Sequence, residues 1–259
     1  MSRKLKAIAL IPARYAATRF PGKLMSLLGG KTVIRRTYES VLASKLFEEV
    51  VVVTDSDMIF DEITAFGGKA MMSQREHSCG SDRIAEAAEH FTDIDIIVNV
   101  QGDEPFSQRA PLEKLLAVFT EPEGDSIDLA SLMHRLDRPD QIDDPNFVKV
   151  AVDQHRMALM LSRSRIPYPR DPEGVVYYEH IGVYAFRRNA LIDFYHTPMT
   201  PLEKAERIEC LRYLETGKKM KMVEVPYMGV EIDTPQDLVD AEKYLTLINP
   251  ENKKSRYEI

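Results

Sequence analysis

Apolar residues follow two rhythms along this chain. Short solid blocks come first: Ala7 to Ile11, Val50 to Val53 and Ile94 to Val100. Each is too short for a helix and bounded by turn or polar residues, so each predicts a strand covered on both faces. Between them apolar positions spread to a helical period, from about Thr32 to Ala43, from Met58 to Phe66 and from Ser81 to Phe91. Gly67-Gly68 stops the second of these helices. Further on, Leu129 to His134, Val148 to Val152, Ile181 to Phe186 and Met222 to Val225 predict strands, and a loop rich in Pro and Arg runs from Ser162 to Pro172. One helix is expected over Pro201 to Thr216, with Thr200 as N-cap, Pro201 in the first turn and Gly217 just past the end. A last helix is expected from about Pro235 to Leu247. This alternation predicts an α/β fold with a mostly parallel, doubly wound sheet. We read a single domain over 1–248 and a polar, charged tail over 249–259.

Composition narrows the function classes. The 259 residues suffice for a sizeable core. A net charge of −7 lacks the basic footprint that nucleic-acid binding needs, but leaves room for a local basic pocket. Cys79 and Cys210 are too few for a disulfide framework and fit no zinc spacing, which predicts a reducing, cytoplasmic setting. No apolar run approaches the roughly 18 residues of a membrane span, and the run after the basic start is too short for a signal peptide.

In open α/β sheets ligands sit beyond the carboxyl ends of strands, which directs attention to the loops after Ile11, Val100 and Val225. The first holds Arg14, Arg19 and Lys23, enough positive charge to cradle a triphosphate; the alternative is a solvated basic loop. It is not a Walker A loop, because Met25 stands where the opening Gly belongs. The second loop, Gly102-Asp103-Glu104-Pro105, offers Asp103 as a magnesium ligand, or as a turn carboxylate capping the next helix. Asp233 in the third would join it there, or else simply begin the last helix. Asp55-Ser56-Asp57 is read as a turn with a helix cap. Arg163, Arg165, Tyr168, His180, Tyr184 and Glu209 form a basic and aromatic group suited to an acidic sugar. Their ordinary alternatives are a satisfied strand-end His180 and a Glu209–Arg212 pair on the helix surface.

Several segments together resemble the 3-deoxy-manno-octulosonate cytidylyltransferase (CMP-Kdo synthetase) family. They are Pro12-Ala13-Arg14-Tyr15 through Lys23, Val53-Thr54-Asp55, His77 through Arg83, Val100 through Pro105, Ser162-Arg163, His180 through Tyr184, Glu206 through Arg212 and Asp233 through Leu238. The resemblance runs nearly end to end. It implies a Rossmann-like sheet of the nucleotide-diphospho-sugar transferase (GT-A-like) type with a small dimerisation and sugar-binding subregion, a homodimer, CTP as donor and Mg2+ as cofactor. It implies Arg14, Arg19 and Lys23 on the CTP phosphates, with Arg75 and Ser81 as further nucleotide contacts. It assigns the metal to Asp103 and Asp233, and the sugar acid to Gln101, Arg163, His180, Tyr184 and Glu209. The implied role is to supply activated sugar for lipopolysaccharide. Lys23, Asp103 and Asp233 are then the catalytic residues, and proton removal falls to the metal rather than to His180. Two departures from the family pattern stand out: Cys79-Gly80-Ser81 for Ser-Gly-Thr, and Cys210 for a Gln. The second keeps open a close analogue such as the 8-amino sugar. Sialic acid as acceptor, or an inactive nucleotide-binding protein, are the rival readings.

Overall fold

The computed structural model describes residues 5–16, 19–77, 79–226 and 230–248. The tail expected over 249–259, like Thr18 and Gly229 in the loops above, lies outside the described residues.

The solid apolar blocks form the middle of the sheet. Strand β1 (Ala7–Ala13) is buried along its whole length. The short antiparallel pair β2 (Leu27–Leu28) and β3 (Lys31–Thr32) follows, then β4 (Val50–Thr54), β5 (Ala70–Met72), β6 (Ile96–Asn99) and β7 (Leu129–Leu136). β8 (Lys149–Val152), β9 (Ala158–Ser162), β10 (Tyr177–Arg187) and β11 (Met220–Glu224) complete the set. The main path runs β11-β7-β10-β6-β1-β4-β5, with β8 and β9 attached at β10. β1 is parallel to β4 and β6, β4 to β5, and β7 to β11. Only β10 runs against this path, antiparallel to both β6 and β7. The carboxyl ends of β1, β6 and β11 therefore share one edge, and the three loops singled out above leave from it.

Successive side chains of a strand face opposite ways, so the sheet feeds two cores. Ala9, Ile11, Val50 and Val52 pack beneath α1 (Val33–Ala43), α2 (Asp57–Ala65) and α4 (Arg109–Ala117). Ile8, Leu10, Val51 and Val53 pack with α3 (Gly80–Ala88) and, across α5 (Pro139–Asp143) in chain order, α6 (Arg188–His196). Thr32 caps α1 by accepting from the Arg35 N–H at 3.3 Å.

The helix expected over Pro201 to Thr216 is two pieces, α7 (Pro201–Glu206) and α8 (Leu211–Glu215). Arg207 between them is left-handed, with φ 56° and ψ 44°. Neither Gly nor Pro marks this break. Contacts from elsewhere enforce it: Arg163 donates to the carbonyls of Glu206 and Arg207, and buried Arg212 reaches back to Glu203 with two bonds of 2.7 and 2.6 Å. The last helix, α9 (Pro235–Ile248), falls where expected.

Candidate active site

Lys23 of the first loop is set by local backbone. Gly22 takes φ +70°, which favours glycine, and turns the chain so that Lys23 opens a short 3-10 turn facing the sheet edge. Lys23 Nζ lies 2.5 Å from Asp103 and 2.8 Å from Asp233, and Arg19 Nη2 lies 2.8 Å from the other oxygen of Asp233. The three loops therefore meet. Close approach at the second loop requires Gly102: a Cβ there would meet the Pro12 carbonyl oxygen at 3.0 Å and the Leu24 and Ile34 side chains at 3.2 Å. Burial by itself would push Lys23 down, but the facing carboxylates of Asp103 and Asp233 outweigh it and hold the ammonium above its ordinary value.

Glu231 joins these acids. Carboxylate oxygens of Asp103, Glu231 and Asp233 lie within 4.8 Å of one another. Surrounding protein, then Asp103, Glu104 and Asp233, pushes the Glu231 carboxyl well above the usual range, although the residue keeps exposed surface. Buried Glu104, beside Asp103, is pushed up to about 8. Such crowding of like charge is what an oxygen-loving divalent cation relieves. The all-oxygen donor set fits Mg2+, and the Lys23 ammonium already stands as a positive charge between two of the donors. Glu231 was not singled out from sequence. Its spacing of two from Asp233 is a weak signal by itself, since nothing in the sequence shows that this loop meets Asp103.

Two cavities flank this group. One of about 460 Å³ is lined by Arg14, Arg19, Lys23, His77, Arg83 and Asp103, among others. A second of about 440 Å³ is lined by Arg163, Glu179, His180, Tyr184, Glu209 and Glu231, among others. Arg19, Cys79, Gln101 and Asp233 line both. Arg75 and Ser81 line neither. The Arg75 guanidinium donates to Tyr195 Oη at 2.7 Å, and the Ser81 hydroxyl donates to Glu209 at 2.8 Å. Asp55 is held by Arg83 at 2.6 Å, in keeping with a structural reading.

The second cavity is shaped by an irregularity in β10 between Ile181 and Tyr184. It brings the rings of His180 and Tyr184 to 5.3 Å, closer than regular strand spacing allows. Ser131 Oγ lies 3.0 Å from His180 Nε2, 3.0 Å from the Ile181 carbonyl and 2.9 Å from the Val183 carbonyl. A hydroxyl has one proton, and two of these neighbours only accept. The consistent arrangement has Ser131 donating to a carbonyl and His180 Nε2–H donating to Ser131, which leaves Nδ1 as an acceptor. Burial pushes His180 down to about 4, so the ring is neutral near pH 7 and Nδ1 stays available. Glu209 takes bonds from Ser81 and Cys79 rather than pairing with Arg212. Cys210 is 1% exposed, is not among the residues lining the second cavity, and sits against Tyr184 Oη at 3.6 Å.

The profile of the family described as Cytidylyltransferase matches residues 8–220. The 3-deoxy-manno-octulosonate cytidylyltransferase of Flavobacterium johnsoniae is 59% identical over 242 residues, covering 93% of this chain and 99% of the relative. That of Christiangramia forsetii is 57% identical over 244 residues, covering 94% and 98%. A solved structure of CMP:2-keto-3-deoxy-manno-octonic acid synthetase complexed with CTP superposes with a TM-score of 0.88 at 36% identity, covering 93% of this chain and 99% of that one.

Proposed function

The chain belongs to the cytidylyltransferase family, and from that premise we propose that it transfers CMP from CTP to 3-deoxy-D-manno-octulosonate (Kdo), releasing pyrophosphate. One observation carries this reading. Two cavities of similar size meet at a shared wall, and that wall holds Asp233 beside the carboxylate group. A nucleotide in the first cavity and a sugar acid in the second would place the α-phosphorus and the attacking hydroxyl at the same spot.

In this reading Arg14, Arg19 and Lys23 bind the triphosphate. Lys23 leaves the carboxylates for phosphate oxygens as the substrate enters. Asp103 and Asp233 would hold a magnesium ion, which would supply positive charge beside the α-phosphate and lower the pKa of the sugar hydroxyl. Gln101, on the shared wall, orients the acceptor. His180 offers Nδ1 to a sugar hydroxyl, Tyr184 remains a protonated donor, and Glu209 accepts from the sugar. Burial keeps Tyr184 protonated throughout the working pH range. No proton transfer is assigned to His180, because a ring held near 4 is a weak base. Positioning and charge stabilisation therefore do most of the catalytic work.

The same reading includes a homodimer working in the cytoplasm to supply activated sugar for lipopolysaccharide, on the strength of the family resemblance. Among the described residues, no helix is long and apolar enough to cross a membrane. A substrate panel tests the proposal. Purified protein with CTP and Mg2+ is offered Kdo, its 8-amino analogue or sialic acid, and pyrophosphate is measured. Release with Kdo is the expected result. Release with sialic acid alone, or CTP binding without turnover on any of them, would overturn it.

A further inference from the structure

Arg163 belongs to the sugar group by resemblance, yet protein groups already engage its guanidinium. Nε donates to the Glu206 carbonyl at 2.7 Å, Nη1 to the Pro145 carbonyl at 2.9 Å and Nη2 to the Arg207 carbonyl at 3.4 Å. The tie is reciprocal. The Glu206 carboxylate accepts from Ser162 Oγ at 2.6 Å and from the Arg163 backbone N–H at 2.9 Å. Two residues at the end of β9 are thus clamped to two residues at the end of α7.

The clamp sits where the helix breaks. A left-handed residue other than Gly is strained, and it persists only where its surroundings hold it. At Arg207 the surroundings are these bonds, together with its own N–H donating to the Glu203 carbonyl at 2.8 Å. The break decides where Glu209 faces. In an unbroken helix residues three apart share a side, so Glu206 and Glu209 would both turn toward Ser162 and Arg163. With the break in place Glu206 faces that strand end, while Glu209 reaches Ser81 and lines the second cavity.

We propose that Glu206 is a positioning residue for the acceptor: with Ser162 and Arg163 it holds the left-handed break and so presents Glu209 to the sugar acid. This rests on the acceptor reading given above, which wild-type turnover of Kdo tests separately. Given that turnover, Glu206→Ala raises KM for Kdo about tenfold, the scale of one misplaced charge-assisted hydrogen bond, and leaves KM for CTP within about twofold. Glu206→Gln, which keeps one acceptor oxygen, recovers part of the loss. Because Glu206 acts through Glu209, adding Glu206→Ala to Glu209→Ala changes KM for Kdo no further. An unchanged KM for Kdo in Glu206→Ala would overturn the proposal. So would losses that multiply in the double variant, or a shift in KM for CTP and the unfolding midpoint of the same proportion. Should the alanine variant not fold, the Glu206→Gln series is read by the same criteria.

Discussion

One ammonium, that of Lys23, lies between two carboxylates from loops far apart in the chain. That arrangement makes Asp103 and Lys23 the residues whose loss is most informative. Removing a charge-stabilising contact of this kind lowers the rate by roughly 10²–10³. Asp103→Asn and Lys23→Ala are expected to fall at least that far in kcat while their circular dichroism stays native. Near-normal turnover by Asp103→Asn would remove the metal assignment. His180 makes a different prediction, one of stability. Its folded-state pKa of about 4 lies below the ordinary 6.5, so between those values the unfolded chain binds a proton that the folded chain does not. The stability it contributes is complete above pH 6.5 and is lost as pH falls toward 4. Relative to His180→Gln, the wild type should lose stability as urea titrations move from pH 7 to 4.5, and parallel curves would contradict this. Cys210 looked from sequence like a lost sugar contact. Buried against Tyr184, it is a packing residue, and a Gln there overfills the site by about 1–3 kcal/mol. Cys210→Gln should lower the urea midpoint without improving kcat/KM for Kdo. That Lys23, Asp103 and Asp233 come together could be expected from sequence, because loops that follow parallel strands leave from one edge of the sheet. Glu231 was less legible, because its role appears only once two distant loops are adjacent.

At the scale of elements, period and punctuation located most strands and helices. The solid blocks around Ala7, Val50 and Ile96 became the buried strands, and Thr200, Pro201 and Gly217 took the positions expected of them. The break at Arg207 escaped because its cause is tertiary. The residues from Pro201 to Thr216 are locally consistent with one helix, and contacts from Arg163 and Arg212 override that preference. The Glu203–Arg212 pair joins the two pieces with both side chains about 5% exposed or less. Removing Glu203 strips Arg212 of its two-bond partner and leaves it the more distant Asp82, at 3.7 Å, a loss that for a buried pair costs about 3–5 kcal/mol. Glu203→Ala should therefore lower stability by that amount in urea unfolding, and a loss under about 1 kcal/mol would show that the join is dispensable. α6 (Arg188–His196), by contrast, carries a local signal, because its apolar Ala190, Leu191 and Phe194 have helical spacing.

For the whole molecule, parallel strand order brings the three loops to one edge, and no linear motif states that they touch. The rule that ligands gather beyond strand carboxyl ends anticipated the edge; the distances among Lys23, Asp103 and Asp233 supply the contact. Lys23 and Arg19 together offset the charge of the Asp103–Asp233 pair. EDTA should accordingly abolish turnover yet leave the unfolding midpoint unchanged, and added Mg2+ should restore activity in full. A midpoint that drops with EDTA would mean that the metal is needed for folding. The most direct test of the account as a whole follows phosphorus by NMR as the protein acts on CTP, Mg2+ and Kdo together. The predicted outcome is one new phosphodiester resonance appearing in step with an equal amount of pyrophosphate, and only when Kdo is present. Pyrophosphate accompanied by free CMP, or an unaltered CTP spectrum, would contradict it.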